Sequence, residues 1–347
     1  MSLAAALGVD FPLIQAPLAG VQGSALCVAV CRAGGLGSLP CAMLAPEAMR
    51  AEVAAVRAAT GQAFNLNFFC HVPPAADAAR EARWREALAP YYREFGIDPR
   101  DIAAGAGRRP FDDDAAALVE TCRPRVVSFH FGLPDPGLLA RVKAAGAMVL
   151  SSATTVAEAR WLEAHGADAV IAQGLEAGGH RGHFLSPDLS LQAGTFALLP
   201  QVLRAVQLQV IAAGGIADAA GVAAAMALGA AAVQVGTAFM LCAEATTSAV
   251  HRAALKSPLA AHTTLTNLFT GRPARGMVNR LMRELGSLSD LPPEFPLATA
   301  ALAPLRAKAE AAGATDFSPL WCGQNASGCR EAPAAEVLAA LAQGFRR

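Results

Sequence analysis

Eight short apolar runs punctuate the chain, at 12–17, 36–40, 63–69, 126–132, 148–153, 169–174, 209–215 and 231–237. Each is too short for a helix, and most are close to uniformly apolar, as strands covered on both faces are. Between them apolar positions recur every three or four residues, which predicts helices over 24–32, 46–59, 137–145, 156–165 and 217–228. Strands alternating with helices predict an α/β fold with a parallel sheet. Eight such units match a (β/α)8 TIM barrel, whereas an open doubly wound sheet normally has fewer strands. The stretch 221–243 carries no charge and could pass for a membrane span. Gly229 interrupts it, so it reads as an Ala-rich helix, a turn and a buried strand.

Two stretches break the rhythm. After the third run, 71–114 is long, proline-bearing and charged, with REARWREA and YYREFGIDPR. After the eighth, helical patterns surround FTGRPARGMVNR. The pattern divides the chain into a barrel over 1–70 and 115–240 and a smaller, mostly helical cap over 71–114 and 241–347. Long excursions from one end of a barrel make lids or substrate walls.

The chemistry concentrates where the runs end. The sixth opens into QGLEAGGHRG, in which glycines let backbone approach a ligand and His180 titrates near neutral pH. His180 is a candidate acid, base or anion stabiliser. The seventh and eighth end in AAGGI and QVGT, where barrels commonly bind phosphate through backbone N–H groups. Gly214, Gly215, Gly236 and Thr237 are the candidate donors, with Asp218 capping the next helix. Ordinary strand-to-helix turns would use the same glycines.

In the third run Asn65 and Asn67 share the face opposite Phe64, Leu66 and Phe68. A polar planar ligand could satisfy these amides, as could water or neighbouring side chains; Asn67 stands nearer the strand end. In the fourth, His130 lies at the C-terminal end, where barrel catalysis happens, although a lone histidine is as often structural. His180 and His183 spell HxxH, but with Glu176 as the only nearby acid no metal is expected. Arg272, Arg275 and Arg280 could form an anion site or tie cap to barrel by salt bridges.

Composition narrows the function classes. Charged residues make up only 16% and balance to zero, so neither nucleic acid nor an anionic membrane is an expected partner. The eight cysteines include no CxxC pair, and MSLAAALGVD lacks the basic start of a secretory signal. Reduced thiols in the cytoplasm follow as the expectation.

The motifs together resemble one family. QAPLAG (15–20), NLNFF (65–69), SFHFGLP (128–134), QGLEAGGHRG (173–182), AAGGI (212–216), QVGTAF (234–239) and TGRPARG (270–276) are similar to nitronate monooxygenases, FMN enzymes once called 2-nitropropane dioxygenases, and to their class I in particular. The resemblance runs from the N-terminus to WCGQ at 321–324. It implies that Asn67, Gln173, Gly178, Gly179, Gly214, Gly215, Gln234, Val235, Gly236 and Thr237 bind FMN. It also implies that His180 is the catalytic histidine and His130 a second one. The implied reaction oxidises alkyl nitronates, such as propionate 3-nitronate, with O2 to a carbonyl compound and nitrite through a flavin semiquinone. A homodimer is the expected assembly. Leu18 stands where the family usually has Met, and 295–305 lacks the tyrosines and lysine of the class I substrate wall. An NAD(P)H-dependent quinone or enoyl-thioester reductase on the same barrel is the alternative. A colourless lyase or isomerase for a phosphorylated substrate is a rival of another class.

Overall fold

The computed structural model describes residues 2–102 and 107–346, so 103–106 of the charged excursion lie outside it. The apolar runs become β1 (Leu13–Gln15), β2 (Gly37–Pro40), β3 (Phe64–Phe69), β4 (Val126–His130), β5 (Met148–Ala153) and β6 (Ala169–Gln173). A two-residue strand, β7 (Gly179–His180), precedes β8 (Gln209–Ala213) and β9 (Ala232–Val235). Apart from β7, these strands pair in parallel in the order β1-β9-β8-β6-β5-β4-β3-β2. Leu36 N donates to Leu13 O at 2.8 Å and Gln15 N to Leu36 O at 2.9 Å, which joins the two ends. The sheet closes into a TIM barrel.

Several strands stop before the apolar pattern does, for a backbone reason. Phe131 and Gly132 have φ of 72° and 94°, and Gly214 and Gly215 have φ of 117° and 73°. Extended pairing cannot continue through such residues, so β4 ends at His130 and β8 at Ala213. Each turn faces the mouth of the barrel.

Helices Ser24–Arg32, Pro46–Ala59, Asp113–Cys122, Pro136–Ala144, Val156–Ala164, Thr195–Ala205 and Ala219–Ala227 surround the strands. The last outer position is filled from the far end of the chain. Val337, Leu338 and Leu341 of helix Ala334–Ala342 share a core with Leu26, Val30 and Val222. Inside the barrel Ile14, Val126, Leu150, Ile171 and Ile211 pack with Leu3 and Leu7 of helix Leu3–Leu7. Arg125, just before β4, donates to Ala6 O at 2.8 Å, so this helix sits at the N-terminal ends of the strands. The opposite end is left for the site.

Over that end, helices Ala78–Glu94, Arg280–Leu285 and Ala298–Ala311 pack through Trp84, Leu88, Tyr92, Leu281, Leu302 and Leu305. A ribbon, β10 (Thr263–Thr266) and β11 (Ala274–Met277), accompanies them, and β11 pairs antiparallel with β7. Among the described residues no helix is long and apolar enough to cross a membrane. Helix Ala219–Ala227, a turn at Gly229 (φ 103°) and β9 account for the uncharged stretch.

Candidate active site

The C-terminal ends of the strands surround one cavity of ≈ 190 Å³. Asn67, His130, Gln173, Gly178, Gly179, His180, Gly214, Gly215, Gln234, Gly236 and Thr237 all line it. Val235 does not; its side chain packs in the core between sheet and helices. Successive residues of a strand face opposite ways, so Gln234 in the cavity puts Val235 outside it. Asn65 is also absent from the lining: its amide nitrogen donates to Ser38 Oγ at 3.0 Å and Ser128 Oγ at 2.8 Å. Neighbouring side chains satisfy that amide nitrogen, two residues before Asn67 on the same face of β3.

His180 does not sit on a free loop. Its backbone pairs with Ala274 of β11, and the next residue, Arg181, donates its N–H to Pro273 O at 2.9 Å. His180 Nε2 lies 2.9 Å from Thr270 Oγ1, while Nδ1 has no partner within the described residues. The Thr270 hydroxyl also donates to Arg272 O at 3.3 Å. With its proton there it accepts from Nε2–H and leaves a lone pair on Nδ1, and with its proton turned to Nε2 it leaves an Nδ1–H. Burial and the positive charges of Arg108 and Arg272 push the His180 pKa well below its usual value, which keeps the ring neutral at rest.

His130 is held on both sides. Nε2 is 3.1 Å from His180 O and Nδ1 is 3.0 Å from Ser152 Oγ. The first contact requires an Nε2–H donor, which leaves Nδ1 to accept from the serine. Burial lowers its pKa to about 3. His130 thus fixes the backbone that carries His180. Gln173 does the same, donating to His180 O at 3.0 Å and accepting from Gly182 N at 2.8 Å.

The turns after β8 and β9 hold unpaired donors. Among the described residues the N–H groups of Gly214, Gly215, Gly236 and Thr237 make no hydrogen bond to the protein. Gln234 Oε1 is buried without a partner beside them. A buried acceptor and four half-buried N–H groups left without protein partners around one cavity suit a polar ligand. Asp218 caps the following helix as expected, accepting from Gly221 N at 2.8 Å.

The three arginines of the 270–280 region separate. Arg272 donates to His183 O and lies 4.1 Å over the Phe131 ring. Arg275 donates to Leu175 O at 2.7 Å. Arg280 makes a bidentate pair with Glu94 at 2.7 and 2.8 Å, inside the cap. No common anion site results. His183 stays out of the cavity, and no group of three metal-ligating side chains occurs among the described residues.

Sequence reasoning missed Arg181. It is fully buried and donates to Gln192 Oε1, Gly174 O and Gln173 O at 2.8 to 2.9 Å, which locks the end of β6. It also missed Arg108, which lines the cavity, and Thr270. Only the family-like motif around Thr270 carried any signal for these.

Five histidines carry a testable consequence. Burial lowers His71 and His251 to about 4, His130 and His183 to about 3, and His180 further below its usual value. Their folded pKa values lie below the unfolded one, so their stabilising effect is complete above about pH 6.5. It is lost as pH falls towards the folded values, because the unfolded chain takes up protons that the folded chain refuses. Each ring that stays neutral in the fold adds to the loss in that window. The urea midpoint should therefore fall steadily from pH 6.5 to 4.5; a flat midpoint would mean that these rings are not buried neutral.

A family profile described as nitronate monooxygenase matches residues 2–344. A nitronate monooxygenase of Pseudomonas aeruginosa is 45% identical, over 98% of this chain and 97% of its own. One of Paraburkholderia phytofirmans is 44% identical, over 98% and 94%. Among solved structures, nitroalkane oxidase from Streptomyces ansochromogenes superposes with a TM-score of 0.90 at 40% identity, covering 99% of this chain and 98% of that one. FabK from Thermotoga maritima is more distant, with a TM-score of 0.74 at 27% identity over 100% and 96%. The family match thus spans the whole barrel and the cap that encloses His180, and the chain belongs to the nitronate monooxygenase family of oxidoreductases.

Proposed function

We propose that the cleft binds FMN and that the chain oxidises alkyl nitronates, such as propionate 3-nitronate, with O2 to a carbonyl compound and nitrite. The residues present fit the cofactor. The unpartnered Gln234 Oε1 and the free N–H groups of Gly214, Gly215, Gly236 and Thr237 offer one acceptor and a ring of donors. The donors suit the phosphate, while Asn67, Gln173 and Gln234 supply amides of the kind that hold a polar ring edge. Gly178 and Gly179 bring backbone to the same wall, whereas Val235 does not reach the cavity. Bound there, FMN supplies the electron acceptor.

The observation that carries the substrate reading is that His180 and Arg108 line the same cleft, with the Arg272 charge behind them over the Phe131 ring. The field that keeps the imidazole neutral also attracts an anion. A nitronate is already deprotonated at its reacting carbon, so no base is required before electron transfer. With Thr270 donating to Nε2, His180 offers Nδ1–H to a nitronate oxygen. His130 acts through the His180 backbone and is a positioning residue in this reading. Its partners are then a small anion and O2. Eight unpaired thiols fit a reducing cytoplasm. Exposed Leu191 and Phe196 offer apolar surface for the homodimer we expect.

Nitrite release and O2 uptake by the FMN-loaded chain with propionate 3-nitronate test this directly. Both should rise together and scale with enzyme. FMN-loaded protein that releases no nitrite would overturn the reading.

A further inference from the structure

Phe131 is a bulky residue in a backbone conformation that bulky residues avoid, with φ of 72°. Such a residue costs free energy and persists only where its surroundings hold it. Here both flanking carbonyls are tied. His130 O accepts from Cys70 N at 2.8 Å, and Gly132 O from Ser151 Oγ at 2.7 Å. The ring is wedged as well. Its centroid lies 4.5 Å from that of His130, 4.8 Å from Phe69, 5.5 Å from Phe295 and 6.1 Å from His180.

The Arg272 guanidinium, 4.1 Å over this ring, is the second unusual group. Among the described residues no carboxylate pairs with it; it donates to His183 O, and its Nε is buried without a partner. Buried charges are ordinarily paired, since an unpaired one destabilises the fold. The π face of Phe131 stands where a carboxylate would be expected. A ring attracts the cation but, unlike a carboxylate, leaves its charge intact. The charge is also close to the reactive ring. Thr270 Oγ1 lies 3.3 Å from Arg272 O and 2.9 Å from His180 Nε2, which joins the two residues through one hydroxyl.

We propose that Phe131 is a positioning residue for the cleft: its strained turn holds the ring as a platform, and the ring keeps the Arg272 charge behind His180 without cancelling it. An anionic substrate then meets a positive field that no ion pair screens. The identity of that anion rests on the nitronate reading above. Arg108, His71 and His130 also face His180 and stay unchanged in every variant below.

The test uses three FMN-loaded variants. Phe131→Leu keeps apolar volume without a π face, Arg272→Met keeps the stem without the charge, and the third combines them. Each single change should raise KM for propionate 3-nitronate about tenfold, the scale of a desolvated cation–π contact, and leave kcat within about twofold. The double variant should be no worse than either single one, because the two side chains act as a unit. The imidazole signals of nitrogen-labelled protein, with His180→Ala assigning the signal of interest, give a reading that needs no turnover. The His180 ring should take up its proton at higher pH in all three variants than in the wild type, since a positive neighbour is removed or released to water. Losses that add in the double variant would overturn the proposal, because the ring would then act as packing alone. An unchanged KM or an unmoved His180 titration in Arg272→Met would overturn it too, and that variant leaves the Phe131 turn intact should Phe131→Leu fail to fold. If no nitronate is oxidised yet the His180 titration shifts equally in the single and double variants, the platform stands and the nitronate reading fails.

Discussion

His180→Ala should lower kcat/KM for propionate 3-nitronate by about 10²- to 10³-fold, the usual loss when a positioned donor to developing charge is removed. The flavin should stay bound. The two effects separate because His180 is held by main-chain pairing of β7 with β11, and Ala274 still pairs with position 180 when the ring is gone. The proposed cofactor donors lie elsewhere, on the turns after β8 and β9. Steady-state nitrite release together with the visible spectrum of the variant checks both halves. Full turnover by a flavin-loaded His180→Ala would remove the ring from the reaction.

Gly214→Ala should have the opposite signature: the protein folds but purifies nearly colourless. Gly214 has φ of 117°, which an alanine adopts only under strain. Its added Cβ would stand 2.9 Å from Thr195 Oγ1 and 3.1 Å from Ala177 N. Neither neighbour gives way easily. The Thr195 hydroxyl is tied to Glu176 Oε2 at 3.0 Å and Gly214 O at 2.9 Å, and Ala177 N to Gly174 O at 3.1 Å. The turn must move, and the N–H groups of Gly214 and Gly215 move with it. A strain of about 3 kcal/mol, if expressed in binding, weakens FMN by about 100-fold. Flavin fluorescence on titration measures this, and unchanged affinity would place the cofactor outside this turn.

The barrel was legible because its strands are buried on both faces and therefore read as plain apolar runs. The glycine pairs at 214–215 and 178–179 marked the mouth, since Gly179, Gly214 and Gly215 have positive φ and a Cβ on Gly178 would stand 2.5 Å from Gly323 N. Less visible were features whose cause lies far along the chain. QGLEAGGHRG reads as a loop, but Ala274 and Arg275 turn Gly179 and His180 into a strand. The C-terminal helix joins the barrel layer through Val337 and Leu338, which no local pattern announces. Arg181 looks like a surface charge until its three acceptors are seen, all of them carbonyl oxygens rather than carboxylates. Val235 is a different case. Alternation along β9 already turns it away from Gln234, and the family-like motif QVGT obscured that signal.

The measurement that tests the account most directly is the visible spectrum of the purified chain under nitrogen, first with NADH and then with propionate 3-nitronate. The account predicts a yellow protein whose flavin bands are unmoved by NADH and change on addition of the nitronate. Bleaching by NADH, with no response to the nitronate, would contradict it and move the chain to the reductases that share this barrel.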